Sequence, residues 1–479
     1  MDHYMPEIFW HDRQGLLSVD VHWEVRDGNR YKIVTSSVQK EVRIWELEFE
    51  PSENSTPSPL SVSFIANLVF HNQAINQVKF SPSTEHNLLA SGDCEGRITI
   101  WKQLDTPAPP PQDEMPPNKE NWVRFKVLNH NSDVNALCWN PDGTQVASVS
   151  NDHTLAVHEA LTGKRLISVG NFRSPSGVSW DPRGKYLVTM SSDRRMDLID
   201  AVKGTRIKHF STAPLPALTL PWSSGDVQLE EKPHKLFHDD QLFSFTRVLS
   251  FSPDGEFIAA PCAHLELGST DVYGTYLFKR GDLGIKDAPF AFYPSSKPTF
   301  LVKFSPVYFS LLKKQENRLG LPYRLVWITL NKDAIYFYDS QHAHPIGVVD
   351  NIHFNSLTDA TWSQDGKVLV ISSLEGYCSF IKFTLTSWGE VVTEVVPMCS
   401  TPNLIEEKKT KKRRTTAVAA AEKEKEKEEE AVKTPSRKEP STPKTPALTK
   451  FFKKNLSAST PEAPKSNGAK KRIQLDSTT

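Results

Sequence analysis

The sequence predicts an all-β repeat fold followed by a disordered, charged tail. One phrase, made of an aromatic residue, a Pro-x-Gly turn and two apolar runs, occurs at Trp139–Val157 (WNPDGTQVASVSNDHTLAV) and nearly repeats at Trp180–Leu198 (WDPRGKYLVTMSSDRRMDL). Hydrophobic residues make up 38% of the 479 residues, which is enough for a core, but apolar periodicity stops near Thr401. The Lys-, Glu-, Ser- and Pro-rich remainder cannot form a core. We therefore place the repeat domain at residues 1–396 and the tail at residues 397–479.

Seven copies of the aromatic anchor divide the repeat domain. Within a copy, short β-rich runs are joined by a turn in which Pro fixes φ and Gly permits a positive φ. The anchors are 57, 59, 41, 71, 53 and 58 residues apart. A period of about 40–45 residues is that of a four-stranded propeller blade, so the longer spacings indicate inserted loops. The anchors are Trp23, Phe80, Trp139, Trp180, Phe251, Phe304 and Trp362.

The copies resemble WD repeats over about residues 5–390, which implies a seven-bladed WD-repeat β-propeller. Trp45 and Trp101 supply the Trp expected in the third strand. We expect Glu7–His11 to form the outer strand of the last blade, because closing the ring removes sheet edges. In later copies the third-strand position is occupied by other residues, namely His158, Ile199, Phe278, Tyr338 and Ile381.

The polar residues of the repeat are predicted to be structural. Asp152, for example, is expected to bond backbone and hydroxyl groups at its turn. The chain has no phosphate-binding Gly-Lys-Ser/Thr loop, no Gly-x-Ser-x-Gly elbow and no His-Glu-x-x-His motif. Its five cysteines are scattered singly, which predicts a reducing compartment without disulfides or structural zinc. We therefore expect no catalytic residue, no cofactor, no metal and no small-molecule substrate.

The chain is also expected to be soluble and intracellular. No apolar run reaches the roughly 18 residues of a membrane span. The first ten residues, MDHYMPEIFW, lack the charged-then-apolar plan of a signal peptide. No membrane partner is therefore predicted.

Three longer phrases are more specific than the repeat itself: Asn118–Val134, Leu236–Gly255 and Leu321–Asp339. With Asp350–Gly366 and Gly376–Phe383, they resemble the middle, WD-repeat subunit of chromatin assembly factor 1. The resemblance implies a nuclear scaffold that works with the large and small subunits of that complex. Such a complex is a histone chaperone that deposits histones H3–H4 on newly replicated DNA. The WD-repeat subunit of replication-independent histone deposition shares the propeller plan and is the main alternative.

A ubiquitin-ligase substrate receptor is a third interpretation. Such receptors usually carry an Arg two residues after a Trp-Asp pair. Here the third strands continue as Trp-Glu-Leu from Trp45 and as Trp-Lys-Gln from Trp101. The sequence therefore disfavours this class.

Charge is distributed unevenly between the two parts of the chain. Residues 401–479 contain 20 Lys and Arg against 11 Asp and Glu, which leaves 37 and 46 in residues 1–400. An acidic body suits basic partners such as histones, and a basic tail suits nucleic acid, acidic proteins or import receptors. Candidate surfaces for the large subunit are the Pro-rich insertions Asp105–Asn121 and Val202–Lys235, whose composition also suits plain solvated loops.

The tail carries signals for import and modification. A basic run indicates nuclear import, with DNA contact as the alternative; it comprises Lys408, Lys409, Lys411, Lys412, Arg413 and Arg414. Three Thr-Pro dipeptides suit a proline-directed kinase, whose phosphates would offset the basic charge. Their hydroxyls belong to Thr434, Thr442 and Thr445.

An apolar cluster in the tail resembles the sliding-clamp-binding box. Leu448, Phe451 and Phe452 are spaced i, i+3 and i+4, so one helical turn places them on one face. Thr445 stands where that box usually has Gln. The resemblance implies a replication sliding clamp as a possible partner.

A last motif occupies Ala469–Asp476 (AKKRIQLD). Ile473 and Leu475 alternate with Gln474, which suits an extended strand that adds to the exposed sheet edge of a partner. The motif resembles the basic-Ile segment by which this family binds the anti-silencing histone chaperone; a second import patch or a frayed terminus are the alternatives. We expect it to be too short to pack on the propeller by itself. Its three cations are Lys470, Lys471 and Arg472.

Overall fold

The computed structural model describes residues 1–50, 59–83, 85–110, 116–215, 218–219, 226–227, 229, 232–267, 270–393 and 474–475. Seven antiparallel sheets of four strands, one of them extended by a fifth, form a closed ring of blades, as predicted. Within the described residues the other regular elements are three two-stranded pairs and two 3₁₀ turns, at Arg280–Asp282 and Leu385–Ser387.

The strands follow the chain blade by blade. Strand β1 (Asp2–Tyr4) belongs to blade seven. Blades one to four comprise β2 (Leu16–Arg26), β3 (Arg30–Ser37), β4 (Glu41–Phe49), β5 (Leu60–Val69); β6 (Ile75–Phe80), β7 (Leu88–Asp93), β8 (Arg97–Leu104), β9 (Asn121–Asn129); β10 (Val134–Trp139), β11 (Gln145–Ser150), β12 (Leu155–Glu159), β13 (Arg165–Val169); and β14 (Pro175–Trp180), β15 (Tyr186–Ser191), β16 (Arg195–Asp200), β17 (Arg206–Phe210).

Between blades four and five lie two short pairs, β18 (Thr212–Ala213) with β21 (His234–Lys235) and β19 (Leu218–Thr219) with β20 (Asp226–Val227). The remaining blades comprise β22 (Ser250–Phe251), β23 (Phe257–Leu267), β24 (Thr270–Lys279), β25 (Ala291–Ser295); β26 (Leu301–Phe304), β28 (Val326–Leu330), β29 (Ala334–Asp339), β30 (Gly347–Asp350); and β31 (Leu357–Trp362), β32 (Val368–Ser373), β33 (Cys378–Lys382). Strand β27 (Tyr308–Phe309) pairs with β34 (Val391–Val392), and β35 (Gln474–Leu475) pairs with β30.

The repeat anchors mark the innermost strand of each blade. First strands of neighbouring blades contact one another around the ring, from β2 to β6 and from β31 back to β2. Six of the seven anchors are the last residue of such a strand, and Trp23 lies inside β2. The predicted Pro-x-Gly turn follows the anchor in blades three, four and five: Gly143, for instance, has φ +72°, which a side chain would strain. All seven third-strand positions named from the sequence lie in the third strand of their blade.

The prediction for the closing strand was wrong in its residues. The N-terminal part does close the ring, but Asp2 and Tyr4 pair with Lys382 and Phe380, whereas Glu7–His11 is not a strand. Trp10 is instead fully buried between blades seven and one, with its ring 5.0 Å from that of Trp45. Because Trp10 and the following His fill positions inside the ring, the pairing strand has to come earlier.

The inserted segment Val202–Lys235 is also more ordered than predicted. It contains β17, the outer strand of blade four, and the short pairs β18–β21 and β19–β20. The other insertion, Asp105–Asn121, is described at both ends. Asn118 is fixed there to blade one, where its Oδ1 accepts the Asn67 N–H at 2.8 Å.

Neighbouring blades are joined by carboxylates from the Pro-x-Gly turns and their variant. Asp365 of blade seven accepts a hydrogen bond from Tyr31 of blade one at 3.0 Å. Asp181 of blade four binds both terminal nitrogens of Arg280 of blade five, at 2.9 and 2.7 Å. Charge-assisted, bidentate pairs of this kind are directional as well as strong, so these carboxylates fix the angle between blades.

Candidate functional site

Among the described residues, the arrangement that most resembles a catalytic triad is a buried hydrogen-bond network in blade two. His71 Nδ1 lies 2.7 Å from Asp93 Oδ2, and its Nε2 lies 2.7 Å from Ser91 Oγ. Trp101 Nε1 donates to the same Ser91 Oγ at 2.8 Å. The side chains of His71 and Asp93 are completely buried. Since every polar atom of the trio has a partner and none meets solvent, the network ties strands together and leaves no space for a substrate.

Blade three repeats the network and tests the role predicted for Asp152. Its carboxylate accepts bonds from the Asn131 N–H at 3.0 Å and the Thr154 hydroxyl at 2.6 Å, and it lies 3.0 Å from His130 Nδ1. Burial raises the pKa of Asp152, but these bonds outweigh it and lower the pKa. The turn prediction for Asp152 is therefore confirmed.

Blade one uses a variant in which Thr replaces Ser. His11 Nε2 lies 3.0 Å from Thr35 Oγ1, and Trp45 Nε1 donates to the same oxygen at 3.0 Å. Burial, together with the nearby Arg43 guanidinium, lowers the pKa of His11 to about 3. This His is consequently neutral at physiological pH and serves as a fixed hydrogen-bonding group.

Charged residues meet where the ring closes on its axis. Lys79 of blade two donates to the Val19 carbonyl at 3.0 Å and to Asp359 of blade seven at 3.3 Å, and lies 3.5 Å from Asp20 of blade one. Burial lowers the pKa of Lys79, but Asp359 and Asp20 outweigh it and raise the pKa. Lys303 interacts electrostatically with Lys79. Burial, and then the positive charge of Lys79, lower the pKa of Lys303. The group bridges blades one, two and seven.

Thiols and metal ligands are not gathered into a reactive group in the part of the chain that the structure describes. Cys94, Cys138 and Cys262 are free, and burial raises each pKa to about 12. No three His, Cys, Asp or Glu residues there are arranged to hold a metal ion. Over the same residues, no helix is long and apolar enough to cross a membrane.

A cavity of about 520 Å³ lies between blades six and seven. One wall comes from the connection between β26 and β28, including Lys313 and Lys314. His344 and Ile346, which precede β30, also line the cavity. Trp388, after the second 3₁₀ turn, completes the set of connections that contribute to the lining. The sequence did not single out this site, because its residues come from three separate connections without a shared motif.

Most of the predicted tail sites lie outside the described residues. These are the import run, the Thr-Pro sites, the clamp-binding box and the cations of the last motif. Gln474 and Leu475 are described, and they are extended as predicted. Their partner was not foreseen: Gln474 pairs with Val348 and Leu475 with Gly347, so the segment does pack on the propeller of its own chain. Strand β30 is the fourth strand of blade six, and the backbone groups at its outer edge pair with β35.

A closed ring of seven four-stranded blades with His-Ser-Asp-Trp networks defines a WD-repeat β-propeller. Within that class, residues 1–387 match the sequence profile of the CAF1B/HIR1 beta-propeller domain. The chain belongs to this family.

Relatives are similar in sequence to this protein over most of its chain. The B subunit of chromatin assembly factor 1 from Gallus gallus is 32% identical over 84% of this chain and 71% of that protein. The Saccharomyces cerevisiae protein of the same name is 29% identical over 80% of this chain and 86% of its own length. Protein HIR1 of Candida albicans is 24% identical over 77% of this chain but only 40% of its own length.

Proposed function

We propose that this protein is a non-enzymatic WD-repeat subunit of a nuclear chromatin-assembly complex that deposits histones H3–H4 on newly replicated DNA. Its propeller would hold the large subunit, with the small subunit in the same complex. The observation that carries the proposal is the family match over residues 1–387, together with relatives named as B subunits of chromatin assembly factor 1. The buried His-Ser-Asp networks support a scaffold, because they are occupied by structural bonds.

The alternative is a subunit of replication-independent histone deposition. The match to Protein HIR1 favours this interpretation, since both proteins share the propeller family. The extent of the alignments supports the first proposal. The alignments cover 71% and 86% of two relatives from chromatin assembly factor 1 but 40% of the HIR1 protein.

The tail would connect this protein to other factors. In this proposal residues 408–414 direct nuclear import, and the segment around Arg472 and Ile473 binds the anti-silencing histone chaperone. The box at residues 445–452 engages the sliding clamp, and phosphorylation at Thr434, Thr442 and Thr445 adjusts the basic charge.

Purification of the tagged full-length chain from nuclear extract tests the proposal. We expect the large and small subunits of chromatin assembly factor 1 to be recovered in stoichiometric amounts with H3–H4. Recovery of HIR-complex subunits would favour the alternative, and recovery of a cullin-ring adaptor in their place would contradict both.

A further inference from the structure

The cavity between blades six and seven contains a buried cation with unused hydrogen-bond donors. Arg324 lines it and is 3% exposed. Its Nη1 donates to Asp339 Oδ2 at 2.8 Å, but its Nε and Nη2 are buried and have no hydrogen-bond partner. A buried guanidinium N–H without an acceptor is unfavourable, so these atoms indicate a missing anionic group.

Asp339 cannot satisfy the remaining donors. Its Oδ1 already accepts the N–H groups of Gln341 at 3.0 Å and His342 at 2.8 Å. The His342 ring nitrogen Nδ1 lies 2.8 and 2.9 Å from its two oxygens. With the carboxylate held in this way, only one nitrogen of Arg324 meets it.

The rest of the lining defines the chemistry of an occupant. Exposed Lys313, Lys314 and His344 are among the lining residues, while Asp339 is the one acidic residue among the described residues that line the cavity. Phe337, Ile346 and Trp388 form apolar walls. The cavity therefore suits a carboxylate carried on a chain with apolar character.

The adjacent sheet edge shows which chain can deliver that carboxylate. Strand β35 adds to β30 in antiparallel register, with Val348 opposite Gln474 and Gly347 opposite Leu475. One further step in the same register leads to Ile346, which lines the cavity. The next residue of the tail is Asp476, which lies outside the described residues.

We propose that the blade-six edge and this cavity form a binding site for the chain's own C-terminal segment, with the carboxylate of Asp476 as the anion that Arg324 binds. The segment is the same one for which chaperone binding is proposed above, and in that respect the inference rests on the proposed function. Docking in cis keeps the segment on its own propeller, and a partner has to displace it before binding.

Cross-linking in the full-length chain tests the docking. The variant V348C/Q474C places thiols on directly opposed residues, where Cβ atoms are about 4.5–5.5 Å apart. The variant V348C/S466C is the control for random encounters of the tail, and V348C alone controls for the native thiols. Under mild oxidant we expect an intramolecular disulfide in V348C/Q474C, identified by mass spectrometry, to form at least about tenfold faster than in the control. Equal rates would overturn the docking.

Two substitutions test the carboxylate. Adding D476N to V348C/Q474C should slow cross-linking about tenfold, because a charge-assisted bond to the guanidinium is lost. S477A is the matched control and should leave the rate unchanged. R324M should act like D476N, and D476N keeps the test valid if R324M does not fold, since Asp476 is outside the propeller. An unchanged rate in D476N would overturn the assignment of the cavity.

Titration of the anti-silencing chaperone separates this inference from the proposed function. If both are correct, a 469–479 peptide binds more tightly than the full-length chain, and D476N tightens binding of the full-length chain. If only the chaperone proposal fails, neither peptide nor chain binds, while the cross-linking pattern is unchanged.

Discussion

At the scale of single residues, His11 stabilises blade one as a neutral hydrogen-bonding group. His11 contacts Thr35 from a fully buried position, and desolvation makes its protonated form unfavourable. The unfolded chain binds a proton near pH 6.5, whereas the folded chain binds it only near pH 3. The stability that this difference contributes is complete above pH 6.5 and is lost as the pH falls toward 3.

Acid sensitivity should therefore decrease when His11 is replaced. A histidine that is protonated only in the unfolded chain lowers the free energy of unfolding by about 1.4 kcal/mol for each pH unit by which the pH falls between 6.5 and 3. We expect H11Q to lose about 2 kcal/mol less free energy of unfolding than the wild type between pH 7 and pH 5. Urea unfolding at the two pH values measures the difference. Equal losses in both proteins would show that His11 does not titrate in this way.

At the scale of strands, periodic elements were predictable and short ones were not. Six of the seven first strands end at their aromatic anchor, because these anchors are followed by a polar residue and Pro, or by Ser-Gln-Asp-Gly. Trp23 has no such signature after it and lies inside β2. Strand β1 has only three residues, Asp-His-Tyr, which show no period and no turn signal. Trp10 is buried in the core between blades seven and one, so the residues around it cannot form the closing strand, and β1 lies earlier in the chain. Sequence alone indicated the need for closure but not the residues that provide it.

Proline substitution distinguishes the two possible closing segments. Of two adjacent strand residues, one directs its N–H to the partner strand, so D2P/H3P removes a bond to β33. We expect a loss of about 3 kcal/mol in the free energy of unfolding. E7P, at an exposed position in the Glu7–His11 segment that was first expected to pair, should change the free energy of unfolding by less than about 1 kcal/mol. Denaturant unfolding compares the two, and the reverse order would contradict the observed closure.

The C-terminal motif was predictable as an extended segment, because alternation is visible in five residues. Its pairing with β30 was not predictable, because the edge of blade six carries no matching sequence signature.

If the motif binds the anti-silencing chaperone, R472E should weaken that binding by about 1–3 kcal/mol, the usual effect of losing an anchor. Calorimetry with the full-length protein measures it. Association with the large subunit should persist, and unchanged chaperone affinity would refute the motif.

At the scale of the whole molecule, stability depends on the point where first and last blades meet. Lys79 joins blade two to Asp20 and Asp359 in blades one and seven. Each of these residues lies within a few positions of an aromatic anchor named from the sequence, but opposite charges brought together across 280 positions cannot be paired from sequence alone. The structural role of the repeat's polar residues was predictable, whereas their inter-blade partners were not.

Removal of that cation should weaken the ring as a unit. K79M leaves two buried carboxylates with only Lys303 near them, and breaking such a pair costs about 3–5 kcal/mol. K40M, an exposed substitution of the same type, should change stability by less than about 0.5 kcal/mol. Thermal unfolding of both variants provides the comparison. A similar melting temperature for the two variants would mean that the interactions of Lys79 with Asp20 and Asp359 do not stabilise the closed ring.

Closure by β1 also sets the order of events during synthesis. Residues 2–4 are synthesised long before their partners at residues 380–382, which belong to the last blade of the propeller. At about 5–20 residues per second, the first strand waits roughly 20–80 s for its partner. Until then the nascent ring is open at both ends, and blade one and the unfinished blade seven expose unpaired edges. A product that terminates before residue 380 can never complete the circle, so even late truncations should yield chains that the cell must protect or degrade.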